Sequence, residues 1–551
     1  LIHLAETNET VSSSYHEKFN RGKTWSGLEL KEFYNPADTA GIDYHRSIGD
    51  PGQYPYTRGI HRNMYRGRLW TRREVCGLGS ARETNERLKF LLREGAGGPN
   101  VIVDVPGELG IDADHPRAAG EVGVTGVSIN SLEDMTVLTE GIPLDKTSFS
   151  LIVAAPSAEV TFSQYLVEAQ RRGIDFRLLS GSIQNDPIHL RYCGFPPAAP
   201  LDVARKTAVD IIEYCTRHVP RWYTTTINLY DLRENGISAA QEIAFGFGIG
   251  LIYVDGAIER GLRIDDFIPR LSFYCSAHID FFEEIAKLRA ARRLWARIMK
   301  ERYGAKDPRS LQFRFAVHTA GCSLVPQQPL NNAIRIAYEA LAAVLGGVQS
   351  LHCCSYDEPI ALPTEQSHLL AIRTQQVLAY ETGVAAVSDP LGGSYYIETL
   401  TDKIEEETIK IFKEIEDRGG MLEAINSGWI DQEMEKAALE EQQRIEKRDR
   451  LVVGVNVFRM PPEDATPSGV QRIPPLVEQK IIEDVKRLKK ERNRPAWQQA
   501  IDNLKRHTEK GEKENLIPPV IECIKAGATV GEIMGVIRQA YGHPYDPLEA
   551  I

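Results

Sequence analysis

The chain has 551 residues, of which 42% are hydrophobic and 26% charged, and its formal net charge is -11. That length allows several domains around a large core, and the acidic balance argues against a general binder of nucleic acid or anionic membrane. No run approaches the roughly 18–20 apolar residues of a membrane span, and eight scattered cysteines without a C-x-x-C motif suit reduced thiols in the cytoplasm.

Residues 1–58 are rich in Gly, Pro, Asp and Tyr and read as an extended arm that contacts a neighbouring subunit. Their first residues lack the basic start and apolar core of a signal peptide. From about 99 to 400, β-rich runs alternate with amphipathic helical stretches. The expected strands are Asn100–Val105, Gly126–Ile129, Ser148–Val153, Phe176–Ile183, Thr224–Tyr230, Arg270–Tyr274, Gln312–His318 and Val348–His352. Helices are expected over 158–172, 202–217, 238–260, 279–303 and 330–345. This alternation predicts a (β/α)8 TIM barrel over 59–400, with an open doubly wound sheet as the competing fold. Residues 401–460 read as a helical continuation of the barrel domain. PPEDATPSG marks a linker, and 461–551 reads as that linker plus a small helical C-terminal region.

Strand ends of a barrel carry its chemistry. Asp231, His318 and Glu358 fall there, but no ligand spacing points to a metal. Asp43-x-His45 mimics half of a cobalamin-ligating Asp-x-His-x-x-Gly motif, but the glycine, Gly49, is one place too far. The densest cluster precedes the barrel, in TRGIHRNMYRGRLWTRREVCG (57–77). Six arginines interleaved with Tyr65 and Trp70 suit a phosphorylated, extended ligand, because guanidinium forks bind phosphate in pairs of hydrogen bonds.

Those blocks also carry a resemblance. YPYTRGI-x-x-x-MY-x-GR-x-WT-x-R (54–73), GIDADHPRAAGEVGVTGVSINSLEDM (110–135), SGSIQND (180–186), PRLSFY (269–274), QSLHCCSYDEPIALPTE (349–365) and DPLGGSYYIE (389–398) resemble the methylmalonyl-CoA mutase family, in order, over roughly 30–500. The resemblance implies a barrel that threads the pantetheine of CoA along its axis. It also implies an adenosylcobalamin-dependent radical 1,2-rearrangement of an acyl-CoA. No Asp-x-His-x-x-Gly or glycine-rich strand pattern follows residue 460. A large subunit is therefore expected, with cobalt ligated by a separate small subunit in a heterotetramer of two large and two small chains.

By the same resemblance, Met64, Arg68, Thr71 and Arg73 match CoA-binding positions, with Arg68 and Arg73 on the phosphates, and His61 replaces a tyrosine contact. Asn100, Gln184, Arg270 and Ser272 match substrate-facing positions. Glu358 matches the carboxylate that holds the adenosyl ribose, and Cys354 stands where the family has asparagine beside it. At the acyl end Val75 replaces the substrate-selecting tyrosine, and Ile102 replaces the aspartate of a 2-hydroxyacyl-CoA relative. No arginine aligns with the one that pairs a free carboxylate. A branched acyl-CoA, neither methylmalonyl- nor 2-hydroxyisobutyryl-CoA, is the expected substrate, and an inactive acyl-CoA-binding scaffold is the alternative.

Tyr230 is retained, but Asp231 replaces the histidine that donates to the thioester carbonyl. One reading has Asp231 accept from one ring nitrogen of His318 while the other nitrogen donates to the thioester. The other has Asp231 bind a hydroxyl or amine on the acyl chain.

Overall fold

A computed structural model describes residues 22–460 and 473–549. Its strands are β1 (Thr71–Arg73), β2 (Asn100–Ile102), β3 (Phe149–Ile152), β4 (Gly181–Ile183), β5 (Trp222–Tyr223), β6 (Thr225–Asn228), β7 (Leu271–Ala277), β8 (Phe315–Thr319) and β9 (Ser350–His352). All pairings between them are parallel, in the orders β2-β3-β4-β5 and β1-β9-β8-β7-β6. A parallel bridge from Cys76 to Val101 joins β1 to β2. On the other side β5 and β6 are one strand interrupted at Thr224, so eight strand positions close into the expected barrel.

Two strand expectations need correction. Gly126–Ile129 contributes only a single bridge, Val127 to Val103, before Ser131 starts the helix Leu132–Leu138 with a capping box to Asp134. Val127 and Ile129, two apart and both buried, imitate the alternation of a strand. The first strand is Thr71–Arg73, hidden in the arginine-rich segment. Phe176–Leu178 is a 3₁₀ turn, so the strand expected from 176 begins at Gly181. The long helices fall where periodicity places them, at Ser157–Arg171, Leu201–His218, Ala239–Glu259, Phe281–Glu301 and Leu330–Leu345.

Ala239–Glu259 is long and apolar enough to cross a membrane, contrary to the sequence reading. Its apolar residues are used inside the protein. Phe247 packs on Phe273 of β7, and the helix is sandwiched by an outer helix, Tyr395–Asp417. That outer helix runs through the boundary expected at residue 400. Buried ion pairs fasten this layer: Arg289 to Asp389 and Glu398, and Arg293 to Asp402 and Glu405. Breaking such a pair strands a buried charge, so these pairs fix the position of the shell more than they add to stability.

The described part of the arm lies on its own chain. Trp25 donates its backbone N–H to Asp280 at 2.6 Å, and Arg450 stacks 3.1 Å from the Trp25 ring centroid. Arg292 donates to the carbonyls of Tyr56 (3.0 Å) and Thr57 (2.7 Å). The N-terminal signal-peptide reading and the linker centred on 461–469 lie outside the described residues.

The last three C-terminal helices share the barrel's core, while Ile481 and Val485 of Pro475–Glu491 join a second, smaller apolar cluster with Leu109 and Ile111. Ile517–Lys525 packs on Ser157–Arg171, and Val520, Ile524, Ile533 and Ile537 belong to the main apolar cluster. Arg538, 2% exposed, donates to the carbonyls of Leu109, Gly110, Ala198 and Tyr545 at 2.9–3.3 Å. Arg538→Ala is expected to cost about 3 kcal/mol, because buried carbonyls lose their donor. Limited proteolysis checks this: cleavage within 473–549 should accelerate before the barrel is cut.

Candidate active site

In most barrels of this kind the axis is filled by layers of bulky branched side chains. Here strand register places Asn100 beside Ser150, Ser150 beside Ser182, Thr226 beside Ser272, and Thr71 beside Ser350. All of them line the same cavity. The hydroxyls satisfy one another, Ser182 with Ser150 and Thr226 with Ser272, each at 3.0 Å. Small polar side chains leave the axis open, and the resulting cavity of about 1400 Å³ runs from one end of the barrel to the other.

Its two mouths differ in charge. At the N-terminal ends of the strands stand His61, Arg68, Arg221, Arg270 and Arg314. Arg68 is exposed, and its guanidinium makes no hydrogen bond or ion pair among the described residues. Arg270 is fixed by donation to Pro220 O (2.9 Å) and lies over the Tyr223 ring. At the C-terminal ends the lining is acidic, with Glu108, Asp231 and Glu358.

Of the residues singled out in the sequence, His61, Met64, Arg68, Thr71, Arg73, Val75, Asn100, Ile102, Gln184, Tyr230, Asp231, Arg270, Ser272, His318 and Glu358 all line this cavity. Three assignments change in detail. Cys354 is fully buried behind the wall, with its thiol donating to Thr319 O at 3.1 Å, so it does not face a cofactor. Arg73 lines the cavity, but its terminal nitrogens are engaged by Pro99 O (2.6 Å), Ser148 O (3.2 Å) and Ser148 Oγ (2.9 Å). It ties β1 to the starts of β2 and β3, and burial lowers its pKa to about 10.

The third change concerns the expected exchange between Asp231 and His318, which is not formed. The imidazole Nδ1 of His318 faces Thr319 O at 2.6 Å, and a carbonyl can only accept, so Nδ1 carries the proton. Burial, then the neighbouring His352, pushes the His318 pKa well below its usual value. The neutral ring therefore presents Nε2 as an acceptor and cannot donate to a thioester. Its faces are occupied by Tyr230 (centroids 4.2 Å apart) and His352 (4.1 Å). Asp231 instead accepts from Asn228 Nδ2 (2.6 Å) and Cys193 Sγ (2.8 Å), both on Oδ2.

Several lining groups escaped the sequence reading. Tyr274, at the end of PRLSFY, has a buried hydroxyl without a partner among the described residues. Behind β9, His352 faces Glu74 at 3.3 Å. Burial pushes the Glu74 carboxyl up to about 7, and on balance Glu74 raises the His352 pKa against the effect of burial. His189 and Cys193 enter the cavity from the short helix Ile188–Tyr192 and its C-cap. Spacing hinted at this pair, since i and i+4 share a helix face. Two groups bring possible metal-ligand atoms within 4.8 Å of one another: His189, Cys193 and Asp231, and His318, Cys354 and Glu358. In the second, the buried Cys354 thiol is turned to a carbonyl. The half-motif Asp43-x-His45 lies away from the cavity wall, with Asp43 capping Arg46 N at 2.8 Å.

The family model of methylmalonyl-CoA mutase matches residues 23–543. The 2-hydroxyisobutanoyl-CoA mutase large subunit of Aquincola tertiaricarbonis is 38% identical over 526 residues, covering 96% of this chain and 93% of that protein. The methylmalonyl-CoA mutase of Rhizobium meliloti (strain 1021) is 38% identical over 525 residues, with 95% and 73% covered. The mitochondrial methylmalonyl-CoA mutase of Homo sapiens is 35% identical over 520 residues, with 94% and 68% covered. A match over nearly the whole chain, on a barrel with an open axis, places this protein in the methylmalonyl-CoA mutase family, whose named members are isomerases of the intramolecular transferase type.

Proposed function

We propose that this chain is the acyl-CoA-binding large subunit of an adenosylcobalamin-dependent mutase that rearranges the carbon skeleton of a branched acyl-CoA. The observation that carries this reading is the continuous axial cavity, cationic at its N-terminal mouth and floored by hydroxyls along its length. CoA has the matching shape: a phosphorylated nucleotide, then a thin amide-bearing arm, then the acyl group. Arg68 and Arg270 take the phosphates at the mouth. The serine and threonine belt passes the pantetheine and supplies partners for its amides. Tyr274, with a buried hydroxyl awaiting a partner, donates to the thioester oxygen deeper in the barrel. Val75, Ile102 and Leu190 line the acyl end and exclude water from it.

Members of this family are cobalamin-dependent. The C-terminal mouth suits such a group. Glu358 offers an exposed carboxylate, and Gly321 lets the loop after β8 pack closely on its neighbours: a Cβ there would meet Tyr230 Oη at 2.9 Å and Glu234 Oε2 at 3.0 Å. When bound, the cofactor supplies the radical chemistry. Glu358 would hold the ribose hydroxyls of its adenosyl group, and the closely packed Tyr230 and His318 rings would form a wall beside the reacting carbons. In this reading cobalt itself is ligated by a small partner subunit. The high coverage of a relative named as a large subunit supports that arrangement. The complete assembly is a heterotetramer of two large and two small chains in the cytoplasm.

The acyl end disfavours a carboxylate. Glu108 is pushed up to about 7 by burial and Asp231 is raised for the same reason, so a third acid beside them would be repelled or protonated.

Three measurements test this function. Arg68→Ala should weaken CoA binding by about 1.5–3 kcal/mol, whereas Arg73→Ala should chiefly lower the melting temperature. Calorimetric titration with CoA separates the two, and equal affinity losses without destabilisation would return Arg73 to the phosphates. Equilibrium dialysis of the chain against hydroxocobalamin should give no stoichiometric binding with a histidine-ligated spectrum; finding one would end the two-subunit reading. With the reconstituted pair, isobutyryl- or pivalyl-CoA should turn over faster than methylmalonyl-CoA. The reverse order would reject the proposed substrate class.

A further inference from the structure

His189 and Cys193 stand one helical turn apart. The Cys193 N–H donates to the His189 carbonyl at 3.0 Å, so both side chains leave the same face of Ile188–Tyr192 and its C-cap. Asp231, 38 residues beyond Cys193, lies in the first turn of the helix after β6. Together they bring an imidazole nitrogen, a sulfur and a carboxylate oxygen within 4.8 Å of one another on the cavity wall. Imidazole, thiolate and carboxylate are the side-chain ligands of zinc.

The bonds around these atoms resemble the outer shell of a metal site. His189 Nδ1 is hydrogen-bonded to Asp186 O, which can only accept, so the neutral ring carries its proton on Nδ1 and presents the lone pair of Nε2. Metal-bound histidines are oriented by the same donation of their second ring N–H. Asp231 Oδ2 accepts from Asn228 Nδ2 at 2.6 Å, and Asn228 Oδ1 takes the Asp231 N–H at 3.0 Å. Asn235 ties the two helices together, donating Nδ2 to Tyr192 O at 3.0 Å and to Asp231 O at 2.7 Å. Asp186 fastens the first helix to the end of β6, accepting from Ile188 N (3.1 Å) and Asn228 N (3.0 Å).

The arginines nearest in sequence serve other acids: Arg191 pairs with Asp431 at 2.6 Å, and Arg233 with Ile237 O and Glu284 (3.3 Å). We propose that His189, Cys193 and Asp231 bind one zinc-class divalent cation, with its fourth position open to the cavity. The thiol now donates to Asp231 Oδ2 at 2.8 Å. The ion would take the place of that proton: the S–H bond breaks, the proton leaves to solvent, and sulfur and carboxylate oxygen each bond the metal. Tetrahedral zinc sets such a pair about 3.5 Å apart, so the sulfur withdraws by about 0.7 Å. Gly194, next in the chain, has a φ of +79° and nothing within 4 Å of a Cβ position, which leaves that end of the turn room to shift. Thiolate and carboxylate cancel the ion's two charges, so the filled site adds no net positive charge to this part of the cavity. With three protein ligands and one open position, the ion acts as a Lewis acid toward an oxygen arriving in the cavity. The site goes beyond the acyl-CoA reading and does not depend on it.

The full chain, stripped with a chelator and dialysed, tests this by titration with zinc chloride and cobalt(II) chloride. Calorimetry should give one zinc ion per chain, and cobalt should give a thiolate-to-metal charge-transfer band in the near ultraviolet. Cys193→Ser should abolish that band. His189→Asn and Asp231→Asn should each weaken zinc binding at least tenfold, with circular dichroism verifying that the variants fold. Cys322→Ser, which removes an exposed thiol, should change neither signal. On the unaltered chain, one equivalent of zinc should slow alkylation of Cys193 by iodoacetamide at least tenfold, read by mass spectrometry, and leave Cys322 as reactive as before. The proposal is overturned by the absence of stoichiometric zinc binding, by a cobalt band that survives Cys193→Ser, or by an unchanged alkylation rate at Cys193. CoA binding is read in its own titration, so loss of the metal site leaves the acyl-CoA reading standing.

Discussion

A closed parallel barrel ordinarily gains much of its stability from its axis, where large aliphatic side chains interlock in layers. This chain places Ser150, Ser182, Thr226, Ser272 and Ser350 at those positions, and their hydroxyls pair across strands instead of filling space. The hollow axis is the constraint on which the rest of the structure depends. It creates room for an extended ligand, it obliges the ligand to bring polar atoms along its length, and it moves the burden of stability outward.

The outward shift is visible in the shell. Phe247, Phe273, Trp295 and Phe313 pack in edge-to-face and tilted contacts between the barrel wall and its helices. Arg289, Arg292, Arg293 and Arg538 are buried and bind carboxylates or carbonyls of distant segments. Each such arginine ties a peripheral layer to the barrel with directional bonds that an apolar contact would not provide. The arm, the outer helix and the C-terminal helices are all held in this way. The barrel is therefore shaped from outside while its centre stays open.

Charge along the cavity follows from the fold as well. Arg68, Arg221, Arg270 and Arg314 precede strands, and Glu108, Asp231 and Glu358 follow them. Because every strand runs the same way, residues before strands gather at one mouth and residues after strands at the other. The ligand is thereby oriented before any specific contact forms, phosphates at one end and reacting carbons at the other.

The sequence by itself determined the fold class, the family and many of the charged and polar side chains on the cavity wall. Helical periodicity over 281–301 and 330–345, strand runs at regular intervals and arginines beside aromatics are local signals, and local signals survive without coordinates. Tertiary structure decided what pairing alone can decide. Thr71–Arg73 is a strand because β9 lies beside it, although its own residues are polar, and Gly126–Ile129 is not one despite Val127 and Ile129. Arg73 and Arg68 are chemically identical, yet one is spent on Pro99 and Ser148 and the other is left for a ligand. Asp231 finds Cys193 and Asn228 rather than His318, because Thr319 O already fixes the His318 ring. A sequence states which donors and acceptors exist; only the packed chain states which of them have already found one another.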